Sequence, residues 1–246
     1  MGELTTDLIR KLHQKKYRQQ AGYFLAEGEH LVQELEKASE FNLALQASEL
    51  LVTERFEGWP GRLRKRVVSE ALMSKLTDTR SPQGIIACVP MAAIQSGSGV
   101  AAKAERSVYF HEIQDPGNLG TILRTLAWFG GFRCLLSPGS VDPFNSKVVR
   151  ASMGAIFHVP VECDITPGQL QLCHADIACL GMQGESLKSA AFRHSRCLVF
   201  GNEARGLPAG LVLAAGTTVY SIPGSGAIDS LNLASAVNMS IYELMR

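Results

Sequence analysis

Two hydrophobic periods alternate along this chain, and the switches between them divide much of it into strand–helix units. The series is most regular in the second half. Apolar runs at 108–113, 132–136, 156–161, 177–180, 197–201 and 219–222 predict strands, and stretches at 119–129, 144–153, 170–174 and 208–214 predict helices between them. Asn118 is the expected N-cap of the first of these helices, and Gly130 with Gly131 its stop. The chain closes on a helical stretch from 231, where Leu231, Ala234, Val237, Met239 and Ile241 supply a mostly apolar surface behind Ser230 as the expected N-cap. Ahead of it, 221–230 reads as a turn-rich loop, with φ fixed at Pro223 and freed at Gly224 and Gly226. This order predicts an α/β fold, a parallel sheet with helices on both faces. Ligands in such sheets bind outside the carboxyl ends of the strands.

The first part, 1–90, is a separate small α/β domain by the same reasoning. It has a helical pattern around Leu8, Ile9 and Leu12, a short strand from Tyr23 entering a helix over 29–38 through Gly28, and a strand at 84–89. Residues 91–105, rich in Ala, Gly and Ser, read as a linker to a second domain over 106–246.

Composition adds mainly exclusions. With 46% hydrophobic and 19% charged residues in 246, the chain has material for a core and no signature of disorder. A net charge of +1 gives nucleic-acid binding no support from overall charge, so any such role must rest on local clusters. Two exist. Arg10, Lys11, Lys15, Lys16 and Arg18 surround Tyr17, and Arg62, Arg64, Lys65 and Arg66 form a second group. Each reads either as a solvated face or as a phosphate-binding surface; Lys15, Lys16, Arg18, Arg64 and Lys65 are the candidates for phosphate contact. No apolar stretch is long enough to span a bilayer, and the first residues lack a basic-then-apolar signal pattern. Cys88, Cys134, Cys163, Cys173, Cys179 and Cys197 include no C-x-x-C pair and read as free thiols of a reducing compartment, so the expectation is a cytoplasmic protein. Cys173-His174 lacks the spaced companions a metal site needs, and no metal is expected.

Three loops that follow strands carry the candidate chemistry. The first runs from Asp115 through Asn118 to Arg124, the second is Gly201-Asn202-Glu203-Ala204-Arg205-Gly206, and the third is the terminal loop leading to Asn232. No G-x-G-x-x-G follows the first strand, and no P-loop is present, which removes support for ordinary dinucleotide or NTP binding.

Asn118-x-Gly120-x-x-x-Arg124, then Phe200-Gly201-Asn202-Glu203-x-x-Gly206, then Ile222-Pro223 and Ser230-Leu231-Asn232 resemble the three ordered motifs of the SpoU (TrmH-type) RNA 2′-O-ribose methyltransferases of the SPOUT superfamily. Residues 147–155 and the Glu27-Gly28 region resemble the family too, while Ala204 and Gly224 depart from its usual residues. The resemblance implies a deep trefoil knot in the C-terminal domain, a substrate-binding N-terminal domain and a homodimer. It implies S-adenosylmethionine held by Gly201, Ile222, Pro223 and Leu231, with the region from Met182 to Gly184 closing over it. Arg124 would be the catalytic arginine, and Asn118, Glu203, Ser230 and Asn232 would order the site. A guanidinium is no base near neutral pH, so Arg124 would anchor a phosphate and stabilise a developing alkoxide. Ribosomal RNA stands ahead of transfer RNA as the implied substrate, and a non-catalytic RNA-binding relative is the remaining alternative.

Overall fold

The computed structural model describes residues 4–79, 81–95 and 105–246. The chain opens with two short helices, α1 (Thr6–Lys11) and α2 (Lys15–Ala21), followed by β1 (Tyr23–Glu27) and α3 (Glu29–Ser39). β2 (Glu49–Val52), β3 (Arg64–Val67), α4 (Glu70–Leu76) and β4 (Ile85–Pro90) complete a four-stranded sheet of order β1-β4-β2-β3. β4 runs antiparallel to both neighbours, and β2 and β3 are parallel. Alternate side chains of these strands point to opposite faces. Leu25, Leu51, Ile86 and Cys88 meet Ile9 of α1, Leu12 just after it, and Met73 and Leu76 of α4. On the other face Phe24, Ala26, Leu50, Ile85 and Ala87 meet Leu31, Val32 and Leu35 of α3. Because both faces are covered, β4 reads as an unbroken apolar run.

After α5 (Ala92–Gln95) the chain forms β5 (Arg106–Phe110), α6 (Pro116–Phe129), β6 (Phe132–Leu136), α7 (Ser146–Ala151), β7 (Val161–Glu162), α8 (Pro167–Cys173), β8 (Ile177–Ser186), α9 (Ala190–Arg193), β9 (Cys197–Phe200), α10 (Ala209–Val212), β10 (Thr217–Ser221) and α11 (Leu233–Met245). The strands make one parallel sheet of order β10-β8-β9-β5-β6-β7. α6, α7 and α11 line one face; Leu170 of α8 and Leu211 of α10 join Tyr109, Cys179 and Val199 on the other. The expected parallel α/β layout is therefore present.

The stretch read as a linker contains α5 at its start, and its residues 96–104 lie outside the described residues. The two sheets are not separate bodies. Phe24 of β1 lies 5.0 Å from Phe144 and 6.5 Å from Phe157, ring centre to ring centre, and one buried cluster runs through both parts.

Several element boundaries differ from the sequence reading. α6 begins at Pro116, and its N-cap is Asp115, whose carboxylate accepts from the N–H of Asn118 at 2.6 Å. Asn118 is thus inside the helix. Pro116 at the first helical position loses no bond, because that N–H has no intrahelical partner. α11 is capped by Asn232, which accepts from the N–H of Ser235 at 3.2 Å, and Ser230 lies outside the helix. The strand expected at 156–161 is replaced by a 3-10 turn over Ala155–Phe157 and the two-residue β7. Gly154 enters that turn at φ 88°, and Phe157 packs across to Phe24 instead of joining a ladder. β8 runs on to Ser186, well past the expected end at 180.

Gly120 is where α6 meets α7. A Cβ there would come within 2.4 Å of the Ala151 Cβ and 2.7 Å of its carbonyl carbon. The obstacle includes main chain, so it cannot swing aside. Gly120→Val is expected to cost about 1–3 kcal/mol or more, read as a lower urea midpoint at unchanged slope.

Candidate active site

The carboxyl ends of β5, β9 and β10 each release a loop on the same side of the sheet, and side chains from the three loops form one hydrogen-bonded chain. Asn232 Nδ2 donates to Asn118 Oδ1 at 2.9 Å, and Asn118 Nδ2 donates to Glu203 Oε1 at 3.1 Å. Asn232 is fixed in turn by its cap bond to Ser235, and Asn118 by the bond of its N–H to Asp115. Each amide thus uses its oxygen and nitrogen separately, so Glu203 is met by a donor.

The other sequence candidates fall around this chain. Arg124, on α6, is exposed and has no hydrogen-bond or ion-pair partner among the described residues. One turn further on, Trp128 is 85% exposed. Thr125 Oγ1 bonds Asn238 Oδ1 at 2.5 Å and ties α6 to α11. Ser230 is exposed and makes no hydrogen bond with the described residues. Ile222 is half-buried against the core, whereas Pro223, Leu231 and Met182 are exposed. Gly201 sits where its own loop closes: a Cβ there would lie 2.3 Å from the Gly206 carbonyl carbon.

Asn202 and Asp115 have structural roles that the sequence reading leaves unassigned. Asn202 is buried; its Oδ1 accepts from the N–H groups of Ala204 and Arg205 at 2.9 and 3.0 Å, and its Nδ2 donates to the Glu112 carbonyl at 2.8 Å. The Asx-turn pattern of Asn followed by small and Gly residues was the available signal. For Asp115 the signal was Asp directly before Pro.

The basic clusters behave unequally. Lys15 and Lys16 are exposed on α2, with the Lys16 Nζ 5.8 Å from the Tyr17 ring centre. Arg64 is exposed on β3, one edge of the first sheet. The Lys65 Nζ donates to the carbonyls of Glu57 and Trp59 at 3.2 and 2.8 Å. Charged side chains on an edge strand also deter pairing with other chains. Arg18 must be corrected: it is only 3% exposed. Its Nη1 donates to the carbonyls of Leu12 and His13, both at 2.8 Å, and its Nε and Nη2 reach Asp142 Oδ2 at 3.2 and 2.5 Å. Four donors are spent inside the protein, so Arg18 joins the two parts of the chain and is not presented to RNA.

Nucleophilic thiol chemistry has no support here. Burial pushes the thiols of Cys88, Cys163, Cys179 and Cys197 up to about 12, and that of Cys134 upward as well. All six cysteines are free, and only Cys173 is exposed. A thiol reagent at neutral pH is expected to label Cys173 alone quickly and the other five only after unfolding, counted by mass spectrometry. Among the described residues, no group of three His, Cys, Asp or Glu side chains is placed to hold a metal ion. Among the same residues, no helix is long and apolar enough to cross a membrane.

The family model described as the SpoU rRNA Methylase family matches residues 105–242, and the MRM3-like substrate binding domain matches residues 8–87. The chain therefore belongs to the SpoU rRNA methylase family. It is 32% identical over 245 residues to the 23S rRNA (guanosine(2553)-2′-O)-methyltransferase RlmP of Bacillus subtilis, covering 96% of this chain and 93% of that one. The AdoMet-bound rRNA methyltransferase from Sinorhizobium meliloti superposes with a TM-score of 0.78 at 28% identity, over 97% of this chain and 93% of the other. The SpoU methyltransferase AviRb from Streptomyces viridochromogenes, in complex with AdoMet, shares the fold with a TM-score of 0.81 at 22% identity, over 99% and 97% of the two chains.

Proposed function

We propose that this protein methylates a ribose 2′-hydroxyl of ribosomal RNA with S-adenosylmethionine. The observation that carries the reading is the Asn232–Asn118–Glu203 hydrogen-bond chain, which unites three loops far apart in sequence at the ligand-binding end of a parallel sheet.

The residues present fit the cofactor. Within residues 223–231 the main chain makes one hydrogen bond with the described residues, from the Ala227 N–H to Ser225 Oγ at 3.4 Å, which leaves a run of donors and acceptors beside the ends of β9 and β10. Exposed apolar side chains at Leu231 and Met182, with half-buried Ile222, offer surface for a nucleoside. Gly201, Ile222, Pro223 and Leu231 would hold the group. When bound, it supplies an electrophilic methyl on a sulfonium.

The chain's own residues do the rest. A ribose hydroxyl is a weak nucleophile and must be held in line. Arg124, whose side chain has no hydrogen-bond or ion-pair partner among the described residues, grips the neighbouring phosphate with its planar fork and stabilises charge growing on the 2′ oxygen. Glu203, held by Asn118 Nδ2, orients the site, and the 2′ proton passes to water at the exposed loop ends rather than to this carboxylate. Ser230 and Asn232 order the terminal loop. Lys15, Lys16, Arg64 and Lys65 offer phosphate contacts on the small domain.

The same reading includes the trefoil knot and a two-fold dimer. Trp128 of α6, with Met239, Tyr242 and Met245 of α11, exposes apolar surface on adjacent helices, which supports pairing with a second copy. The domain division at 1–90 and 106–246 is supported by the ends of the two family matches. Free cysteines throughout support a reducing, cytoplasmic location.

The test is a transcript-wide map of alkali-resistant 2′-O-methyl sites in RNA from cells with and without the protein. The expected result is loss of protection at a ribose in ribosomal RNA. Loss confined to transfer RNA, or no loss, contradicts the proposal.

A further inference from the structure

Glu112 lies in the loop after β5 with φ 51°, a left-handed conformation unusual for a residue that carries a side chain. Its main chain and one carboxylate oxygen are held. Its N–H donates to Ser137 Oγ at 2.7 Å, and its carbonyl accepts from Asn202 Nδ2 at 2.8 Å and Gln114 Nε2 at 3.1 Å. Its carboxylate pairs with Arg205. Two of these partners, Asn202 and Arg205, flank Glu203 in the loop after β9.

That loop is closed on itself. Asn202 and Gly206 exchange main-chain bonds at 2.9 and 2.8 Å, and Asn202 Oδ1 caps the turn between them. It behaves as one rigid piece whose orientation depends on what it is docked to. Glu112 provides two docking points: its carbonyl on one side of Glu203 and its carboxylate on the other.

We propose that Glu112 and Arg205 are positioning residues that aim Glu203 at Asn118, the Glu112–Arg205 ion pair fixing the tilt of the Gly201–Gly206 turn. Stability is not what the pair is for. The Arg205 side chain is 69% exposed and that of Glu112 28%, and an ion pair so open to water adds little to folding. Its consequence is geometric, because a small change in tilt breaks the alignment of Glu203 with Asn118 and so the chain that reaches Asn232. The consequence for catalysis rests on the methyltransferase reading above; the consequence for geometry does not.

Both are tested on the full-length protein with Glu112→Gln, Arg205→Met and the charge-swapped double variant Glu112→Arg/Arg205→Glu. The readouts are kcat and KM for methyl transfer to ribosomal RNA, thermal melting, and the side-chain amide resonances of Asn118 in an isotope-labelled sample. Each single variant is expected to lower kcat about tenfold, with KM for S-adenosylmethionine within about twofold and melting unchanged. The Asn118 amide should shift, and the swapped pair should recover most of the rate and the original resonance. Unchanged kcat with an unmoved Asn118 amide overturns the proposal, as does a loss of rate that the swap fails to recover. If the unsubstituted protein transfers no methyl to any RNA, the functional reading fails. The positioning role of the Glu112–Arg205 pair is then judged by the Asn118 resonance alone: a shift upholds it and an unmoved signal overturns it.

Discussion

Arg124→Ala is expected to lower kcat for ribose methylation by about 10²–10³, the usual consequence of removing one preorganised donor to a developing oxyanion. Binding of S-adenosylmethionine should stay within about twofold, because Arg124 stands outside the loops assigned to the cofactor. Folding should be untouched. Arg124 is exposed and spends no hydrogen bond or ion pair on the described residues, and surface substitutions of that kind lie within about 0.5 kcal/mol of neutral. Arg124→Lys separates the two ways a cation can serve. A point charge keeps the attraction to phosphate but loses the planar two-pronged geometry, so an intermediate rate is expected. Single-turnover transfer of labelled methyl to ribosomal RNA measures both variants. Full activity of Arg124→Lys would count against two-pronged phosphate holding.

The second large effect concerns the junction of the two sheets. Arg18 is 3% exposed and Asp142 is its only carboxylate partner among the described residues. Asp142→Ala leaves a guanidinium buried without a counter-charge, and a loss of about 3–5 kcal/mol is expected, seen as a lower denaturation midpoint. Both sheets should melt together, because the buried cluster around Phe24, Phe144 and Phe157 belongs to both. Replacing the pair as Arg18→Met with Asp142→Leu should recover most of the loss, since what costs energy is the unpaired charge. Two well-separated transitions in Asp142→Ala would show that the junction is weaker than this packing implies.

The alternation of strands and helices was legible because several strands of the second sheet carry a short apolar run, such as 108–110, 134–136, 177–180 and 197–200. What was not legible traces to competition between equally good local signals. Asn118 and Asp115 are both good caps, and only Pro116 arbitrates; with the proline at the first helical position, the cap falls on Asp115. Ser230 and Asn232 compete in the same way, and the apolar residue after Asn232 goes into the helix. The run at 156–161 has strand composition, yet Pro160 brings no donor and Phe157 finds a better partner in Phe24, which no local window contains. Arg18 shows the same limit for charge. Within its cluster it is indistinguishable from Lys15 and Lys16, and its burial is decided by Asp142, 124 positions away. The three loops were recognisable as motifs, but their joining through Asn118 depends on strand order, since β5 lies beside β9 while β10 lies beyond β8. Glu112 is hard to single out locally, because two of the groups that hold its left-handed backbone, Ser137 and Asn202, lie 25 and 90 positions away.

Titration of the isotope-labelled protein with S-adenosylmethionine decides whether the three loops form one cofactor site. A three-loop site requires saturable binding that shifts the backbone amides of Gly201, Ile222 and Leu231 together with the Asn118 side chain. Absence of saturable binding, or shifts confined to residues 1–90, would contradict it.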